Sequence, residues 1–134
     1  MKRVITLLTL FALLFTLSSC DKHVSSYMAV GLVRSQTSHS CKASFLSLEG
    51  RLVYKLKKTD DGNEGNISYT VEVDEGEVTI YYDIYGIEEE LVRVKSGEST
   101  SDKGGYIEGG KTVYIIIEAD EKSRGKVSVE LNSQ

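Results

Sequence analysis

The chain has 134 residues, of which 16 are Lys or Arg and 20 are Asp or Glu, so its formal net charge is −4 at pH 7. This length suits a single domain. An acidic chain is repelled by nucleic acid and by an anionic membrane surface, so the composition argues against both as partners.

The first twenty residues have the build of a secretory signal. Two basic residues at 2–3 precede an apolar run at 4–17. This run is shorter than the roughly 20 residues that a transmembrane helix needs, which favours a cleaved signal over a membrane span. The run ends in LSSC, which resembles the lipobox of bacterial lipoproteins. The resemblance implies a signal peptide at 1–19 and a lipid on Cys20 that anchors the chain to the extracytoplasmic face of the cell membrane.

Without that signal the chain has 115 residues, with 14 basic and 20 acidic side chains. We expect the lipidated cysteine and a short tether at 20–26 and one folded domain at 27–134. If Cys20 carries a lipid, Cys41 has no partner for an intramolecular disulfide. Cys41 is then either a small buried hydrophobe or, together with His39 two residues earlier, a thiol nucleophile or half of a metal site.

Period-two alternation of apolar and polar residues predicts strands in most of the remaining chain. Glycine turns suggest that 42–48 pairs with 51–58 about residues 49–50, and that 67–74 and 77–85 form a hairpin about residues 75–76. We expect loops at 36–40 and 96–105 and a turn at 120–125. The run at 113–117 is apolar on both faces and predicts a central strand. The predicted strands cover 27–34, 42–48, 51–58, 67–74, 77–85, 88–95, 111–119 and 126–132. The segment that leads into 111–119 opens at Tyr106 and bends at residues 109–110.

No helical periodicity follows the signal, and about seven to eight short strands predict an all-β fold. We expect a single antiparallel β-sandwich, either immunoglobulin-like or jelly-roll-like in its connections. The lipobox, the stretch YTVEVDEGEVTIYYD at 69–83 and the ending GGYIEGGKTVYIIIEADEKSRGKVSVEL at 104–131 resemble small lipoproteins of Gram-positive bacteria. The resemblance implies a compact extracytoplasmic β-sandwich and supplies no catalytic residue.

Motifs of catalysis and metal binding are missing from the sequence: it contains no G-x-S-x-G, no H-E-x-x-H and no cysteine pair at metal spacing. The stretch TDDGNEGN at 59–66 offers oxygen ligands for calcium, but its spacing differs from an EF-hand loop and is typical of an ordinary turn. We therefore predict a protein that is not an enzyme and that uses no cofactor and no metal.

Two functions from different classes remain. In the first, the domain is a binding module for a cell-wall or host glycan. Tyr81, Asp83 and Tyr85 alternate along the predicted strand, which would place two rings and a carboxylate on one outward surface. These tyrosines could instead pack against cross-strand neighbours. In the second, the domain is a structural or interaction subunit of a cell-envelope complex and binds another protein through a sheet edge.

Overall fold

The computed structural model describes residues 23–57 and 64–133. The predicted signal peptide, Cys20, the start of the tether and residues 59–63 of the acidic turn lie outside these ranges. Within them every strand pairing is antiparallel, and no helix is long and apolar enough to cross a membrane. The strands are β1 (Ser26–Val30), β2 (Val33–Gln36), β3 (Ser40–Lys57), β4 (Glu64–Glu75), β5 (Glu77–Asp83), β6 (Glu89–Lys95), β7 (Ser99–Glu108) and β8 (Thr112–Ser133).

Two long strands run through the whole molecule. β3 has 18 residues and β8 has 22, and they pair with each other along almost their full length. Irregular pairing between Phe45 and Gly50 marks the place where β3 bends. The predicted pairing of 42–48 with 51–58 about a turn is therefore wrong, and so is the predicted turn at 120–125. Glycine permits a bend within a strand as well as a turn between strands, and the local sequence does not separate these outcomes.

The bends divide the sheet into two halves. The first half-sheet contains β2, residues 40–45 of β3, residues 123–133 of β8, β4 and β7. The second half-sheet contains β1, residues 50–57 of β3, residues 112–119 of β8, β5 and β6. Apolar side chains of both halves form a single buried cluster. The fold is therefore an antiparallel β-sandwich, as the alternation predicts, built from one sheet in which β3 and β8 belong to both layers.

Hydrogen bonds close the two open sides of the sandwich. At one side the amide of Lys57 donates to the carbonyl of Ser38 at 2.7 Å, which joins the turn between β2 and β3 to the far end of β3. At the other side the amide of Gly97 donates to the carbonyl of Val73 at 2.8 Å, which joins the turn between β6 and β7 to β4. These bonds satisfy backbone groups that an open sheet edge would expose.

The predicted hairpin of 67–74 with 77–85 is wrong. β4 pairs with β7 and β8, whereas β5 pairs with β6 and β8. Gly76, with a φ of 84°, carries the chain from the first half-sheet to the second. The buried hydroxyl of Ser123 fixes this crossing by accepting a hydrogen bond from the amide of Glu77 at 3.1 Å. Alternation specifies which face of a strand is buried but not which strand is its neighbour.

Three further segments differ from expectation. Gly31, with a φ of 62°, divides the predicted first strand into β1 and β2. The predicted loop at 96–105 contains the start of β7. Ser25 already accepts a hydrogen bond from the amide of Val53 at 2.9 Å, so the end of the predicted tether lies on the sheet. The central strand is confirmed, because Val113, Ile115, Ile116 and Ile117 of β8 are all buried.

Candidate functional site

The structure separates the three residues that the sequence groups into one site. Asp83 is only 2% exposed, so its predicted outward and accessible position is wrong. One carboxylate oxygen of Asp83 lies 3.1 Å from Nε2 of His23, and the other accepts a hydrogen bond from the amide of Gly86 at 2.6 Å. Both oxygens are thus engaged within the protein.

The N-terminal segment covers the outer face of the second half-sheet, which explains this burial. The ring of His23 stacks on the ring of Tyr114 with 4.0 Å between centroids. Ile116, two residues further along the same strand, is fully buried although it lies outside the main core cluster. Tyr81, which pairs with Ile116 across the strands, is half-buried. Tyr81 and Asp83 therefore belong to a packed surface and not to an open glycan platform.

Tyr85 alone of the three is freely accessible, with 63% of its surface exposed. It follows β5 and lines a cleft of about 230 Å³ together with Tyr82 and Tyr106. We call this the tyrosine cleft. Its lining residues are Tyr82, Ile84, Tyr85, Ile87, Glu89 and Tyr106.

The fold brings these tyrosines together from different strands. Tyr82 points to the opposite side of β5 from Tyr81 and packs against the edge of the core. Tyr106 lies on β7, which enters the site through Gly105. Gly105 has a φ of 70°, and a Cβ atom added there would lie 3.1 Å from the Tyr82 ring. A glycine is needed here for its positive φ and for this close approach.

Two tyrosines of the cleft are hydrogen-bonded to glutamates. The Tyr82 hydroxyl donates to Oε2 of Glu89 at 2.6 Å, and the Tyr106 hydroxyl donates to Oε1 of Glu64 at 3.0 Å. These bonds fix the orientations of the Tyr82 and Tyr106 rings, so this part of the cleft is organised before any ligand enters.

The carboxylates also affect the ionisation of the phenols. Hydrogen bonds to Glu108 and Glu64 raise the pKa of Tyr85 and the pKa of Tyr106, respectively. Burial, followed by the hydrogen bond to Glu89, raises the pKa of Tyr82. All three phenols therefore stay protonated and keep donating to their carboxylates at neutral pH.

Cys41 and His39 do not form a reactive pair. Cys41 is 1% exposed within the main core, and burial raises its thiol pKa to about 12. His39 is exposed in the turn between β2 and β3. The interpretation of Cys41 as a small buried hydrophobe is confirmed. In the described residues no group of three His, Cys, Asp or Glu side chains could hold a metal ion.

Two wider grooves lie on the outer face of the first half-sheet, with volumes of about 480 and 440 Å³. They share Thr70 and Ser128, and their polar lining consists of Ser, Thr, Lys, Glu and Asp side chains. Tyr69, the aromatic residue of these grooves, is buried. The grooves therefore offer no exposed ring for stacking.

Sequence reasoning missed Tyr82 and Tyr106. Tyr82 falls on the face of β5 that alternation assigns to the core, and Tyr106 stands 24 positions further along the chain. No local pattern links residues so far apart, because the pairing of β7 with β4 and of β5 with β8 brings them together.

No family model and no curated protein matches this chain. Among solved structures it is similar to a variant family 29 carbohydrate-binding module complexed with mannohexaose, at 12% identity over 81% of this chain and 80% of that chain, with a TM-score of 0.44. It is also similar to a family 61 module in complex with β-1,4-galactotriose, at 12% identity over 85% of each chain, with a TM-score of 0.42.

A further similarity is to the enzymatically active domain of tailspike protein 4 from bacteriophage CBA120, at 7% identity over 83% of this chain and 19% of that chain, with a TM-score of 0.46. These identities and TM-scores are too low to transfer a ligand or an activity to this chain.

Proposed function

We propose that this chain is a non-catalytic glycan-binding module and that the tyrosine cleft is its binding site. The observation that carries this proposal is the convergence of Tyr82, Tyr85 and Tyr106 around one open cleft, with Tyr82 and Tyr106 each hydrogen-bonded to a glutamate. Tyr85 and Tyr106 are exposed to solvent. Exposed rings that are held in place provide large contact areas at little conformational cost.

The chemistry of the cleft suits a sugar. The apolar faces of a sugar ring can pack on the phenol rings, while the sugar hydroxyls can donate to phenol and carboxylate oxygens. The cleft volume of about 230 Å³ is smaller than the clefts of about 300–1,000 Å³ that enclose drug-sized ligands. It therefore fits a chain end or a single sugar unit better than a long stretch of polysaccharide.

Substitution of the exposed rings tests this proposal. Tyr85→Ser and Tyr106→Ser should each weaken binding of a glycan identified on an array about fivefold to tenfold, because an aromatic contact contributes about 1 kcal/mol. Calorimetry would give the affinities and thermal unfolding would check the fold. Tyr27→Ser is the matched control, since Tyr27 is partly exposed and lies outside the cleft. Unchanged binding by both cleft variants would reject the site.

We propose further that Cys20 is acylated and holds the module at the extracytoplasmic face of the cell membrane. The lipobox of residues 17–20 supports this location. This anchor also limits the distance between the module and the bilayer. His23 packs against Tyr114, and only Asp21 and Lys22 separate Cys20 from His23. Three residue steps of about 3.3–3.6 Å each span about 10 Å, so the module would stand close to the bilayer.

A specific surface favours the second candidate function, protein docking through a sheet edge. β1 ends the strand order of the sheet and pairs only with β3 among the described strands. Around β1 and β2 the exposed apolar residues include Met28, Val30, Val33 and Leu46. An unpaired edge with apolar side chains is a common template for binding another chain.

Crosslinking in living cells tests this second candidate. A photo-reactive group at position 33 should trap a discrete protein if the edge is an interface, whereas the same group at the exposed position 122 should not. Equal yields of crosslinked protein at positions 33 and 122 would reject the edge as an interface.

A further inference from the structure

Acidic side chains without a cationic partner surround the tyrosines of the cleft. Glu89 lines the cleft and accepts a hydrogen bond from Tyr82, and Glu64 accepts one from Tyr106. Glu108 interacts with Tyr85 and Tyr106 and raises the pKa of both phenols. In the part of the chain that the structure describes, none of these glutamates forms a salt bridge with Lys, Arg or His, whereas Glu90, the neighbour of Glu89, pairs with Arg93 at 3.0 Å. Among the described residues no cation therefore pairs with the carboxylates of the cleft.

The side chains of the cleft also offer a ligand more hydrogen-bond acceptors than free donors. The hydroxyl protons of Tyr82 and Tyr106 are directed at carboxylates. The remaining side chains of the lining, Ile84 and Ile87, have no polar group. The side chains thus offer a ligand mainly acceptors, which are phenol and carboxylate oxygens. A ligand that fits must supply donors.

A ligand with a positively charged hydrogen-bond donor best matches both the negative charge of the cleft and its excess of acceptors. An ammonium group has three donors and no acceptor, and it is attracted to carboxylates and to the faces of tyrosine rings. An anionic group would bring like charge and acceptors that find no partner among these side chains.

Resting on the proposed glycan-binding function, we infer that the cleft selects sugars with a free, protonated amine. The ligand class is a de-N-acetylated amino sugar at a chain end or as a single unit. N-acetylated and neutral sugars bind the same site more weakly, and sugars with carboxylate or sulfate groups are excluded.

The test compares three oligosaccharides of equal length on the full-length lipid-anchored chain in a nonionic detergent. The probes are a glucosamine oligomer, its fully N-acetylated counterpart and an oligogalacturonate, at mildly acidic pH where the amine is protonated. We expect the glucosamine oligomer to bind about tenfold more tightly than the N-acetylated one, because the protonated amine is attracted to the carboxylates and to the faces of the tyrosine rings. A tenfold difference corresponds to about 1.4 kcal/mol. The oligogalacturonate should not bind.

A matched pair of variants distinguishes the effect of a carboxylate in the cleft from the effect of the net negative charge of the chain. Glu89→Gln should reduce the preference for the amine severalfold, because it removes a cleft charge but keeps an acceptor for Tyr82. Glu90→Gln makes the same change in net charge outside the cleft and should leave the preference unchanged.

The failures of the two proposals are distinguishable. Equal affinity for the free-amine and N-acetylated oligomers, or an equal effect of both glutamate variants, would overturn the inference and leave the glycan-binding function in place. Binding of none of the three oligomers, together with no ligand on a glycan array, would overturn both.

Discussion

Asp83 shows how one buried side chain changes the interpretation of a whole surface. Its carboxylate contacts His23 from the N-terminal segment and the amide of Gly86 from the turn that follows β5. It thereby ties the N-terminal segment to the turn that carries Tyr85. A buried carboxylate is stable only when its oxygens have such partners. We therefore assign Asp83 to the support of the tyrosine cleft and not to its lining.

Substitution of Asp83 by alanine should lower the free energy of unfolding by about 1–3 kcal/mol, because the amide of Gly86 and the ring of His23 lose their acceptor. Urea denaturation would measure the change. Asp74→Ala is the control, since Asp74 is exposed and lies 3.9 Å from Arg124, and it should cost less than about 0.5 kcal/mol. Equal losses in both variants would contradict the structural role of Asp83.

The thiol of Cys41 should be inert in the folded protein. Burial raises its pKa to about 12, so the reactive thiolate is scarce at neutral pH, and the core shields the sulfur from reagents. In a Cys20→Ser background Cys41 is the only cysteine of the chain. A thiol reagent should modify it only when denaturant unfolds the protein. Modification of the native protein at the rate of an exposed thiol would contradict this prediction.

The same pKa shift links Cys41 to stability at alkaline pH. The thiol pKa is raised from 9.0 in the unfolded chain to about 12 in the folded one, so folding favours the protonated form. The contribution of the Cys41 thiol to the free energy of unfolding is complete below pH 9.0 and is lost as the pH rises towards about 12.

At the scale of elements, the bends of β3 and β8 turn a single sheet into two layers. Gly125 lies in β8 where the pairing with β4 becomes irregular between Val73 and Glu75. A Cβ atom added to Gly125 would clash with the carbonyl oxygen of Glu72. The backbones of β4 and β8 approach so closely here that only glycine fits.

Replacement of Gly125 by alanine should destabilise the fold by about 3 kcal/mol, the upper range for overpacking, because the clash is with backbone. Gly104→Ala is a matched control. Gly104 also lies in a strand, and its added Cβ would meet only side chains, the tip of Leu91 at 3.1 Å and the Tyr69 ring at 3.8 Å. Thermal unfolding of both variants would give the comparison. If Gly125→Ala lowers the melting temperature no more than Gly104→Ala does, β4 and β8 can move apart at this position without loss of stability.

At the scale of the whole molecule, the N-terminal segment serves two purposes. It helps to bury Asp83, and it holds the start of the domain on the sheet through Ser25 and His23. With Cys20 acylated as proposed, the sandwich would be attached to the bilayer by a very short spacer and not by a loose tether. The orientation of the module at the membrane would then follow from the position of His23 on the second half-sheet.

Substitution of Cys20 by alanine should move the protein from the membrane fraction to the soluble fraction, because two acyl chains provide stable anchoring that the polypeptide itself does not replace. Cell fractionation and immunoblotting would measure the distribution. Cys41→Ala removes the other cysteine of the chain and should leave the protein in the membrane fraction. Retention of Cys20→Ala at the membrane would reject lipidation as the anchor.

Local patterns in the sequence determined the existence of most strands and the identity of their buried faces. Ile67, Val71 and Val73 point into the core as their alternation predicts, because side-chain direction in a strand depends only on position. The apolar run at 113–117 likewise predicts a strand covered on both sides. The all-β sandwich could be derived from these features alone.

Tertiary structure decided which strands pair and therefore where the candidate site lies. Strand pairing joins residues that are distant in sequence, so local alternation cannot show that β4 and β5 face different neighbours. The same non-local pairing places Tyr106 beside Tyr82 and Tyr85, while the returning N-terminal segment buries Asp83. The sequence determined the faces of the strands, and the tertiary structure determined which of those faces remain open to a ligand, because burial depends on what the rest of the chain covers.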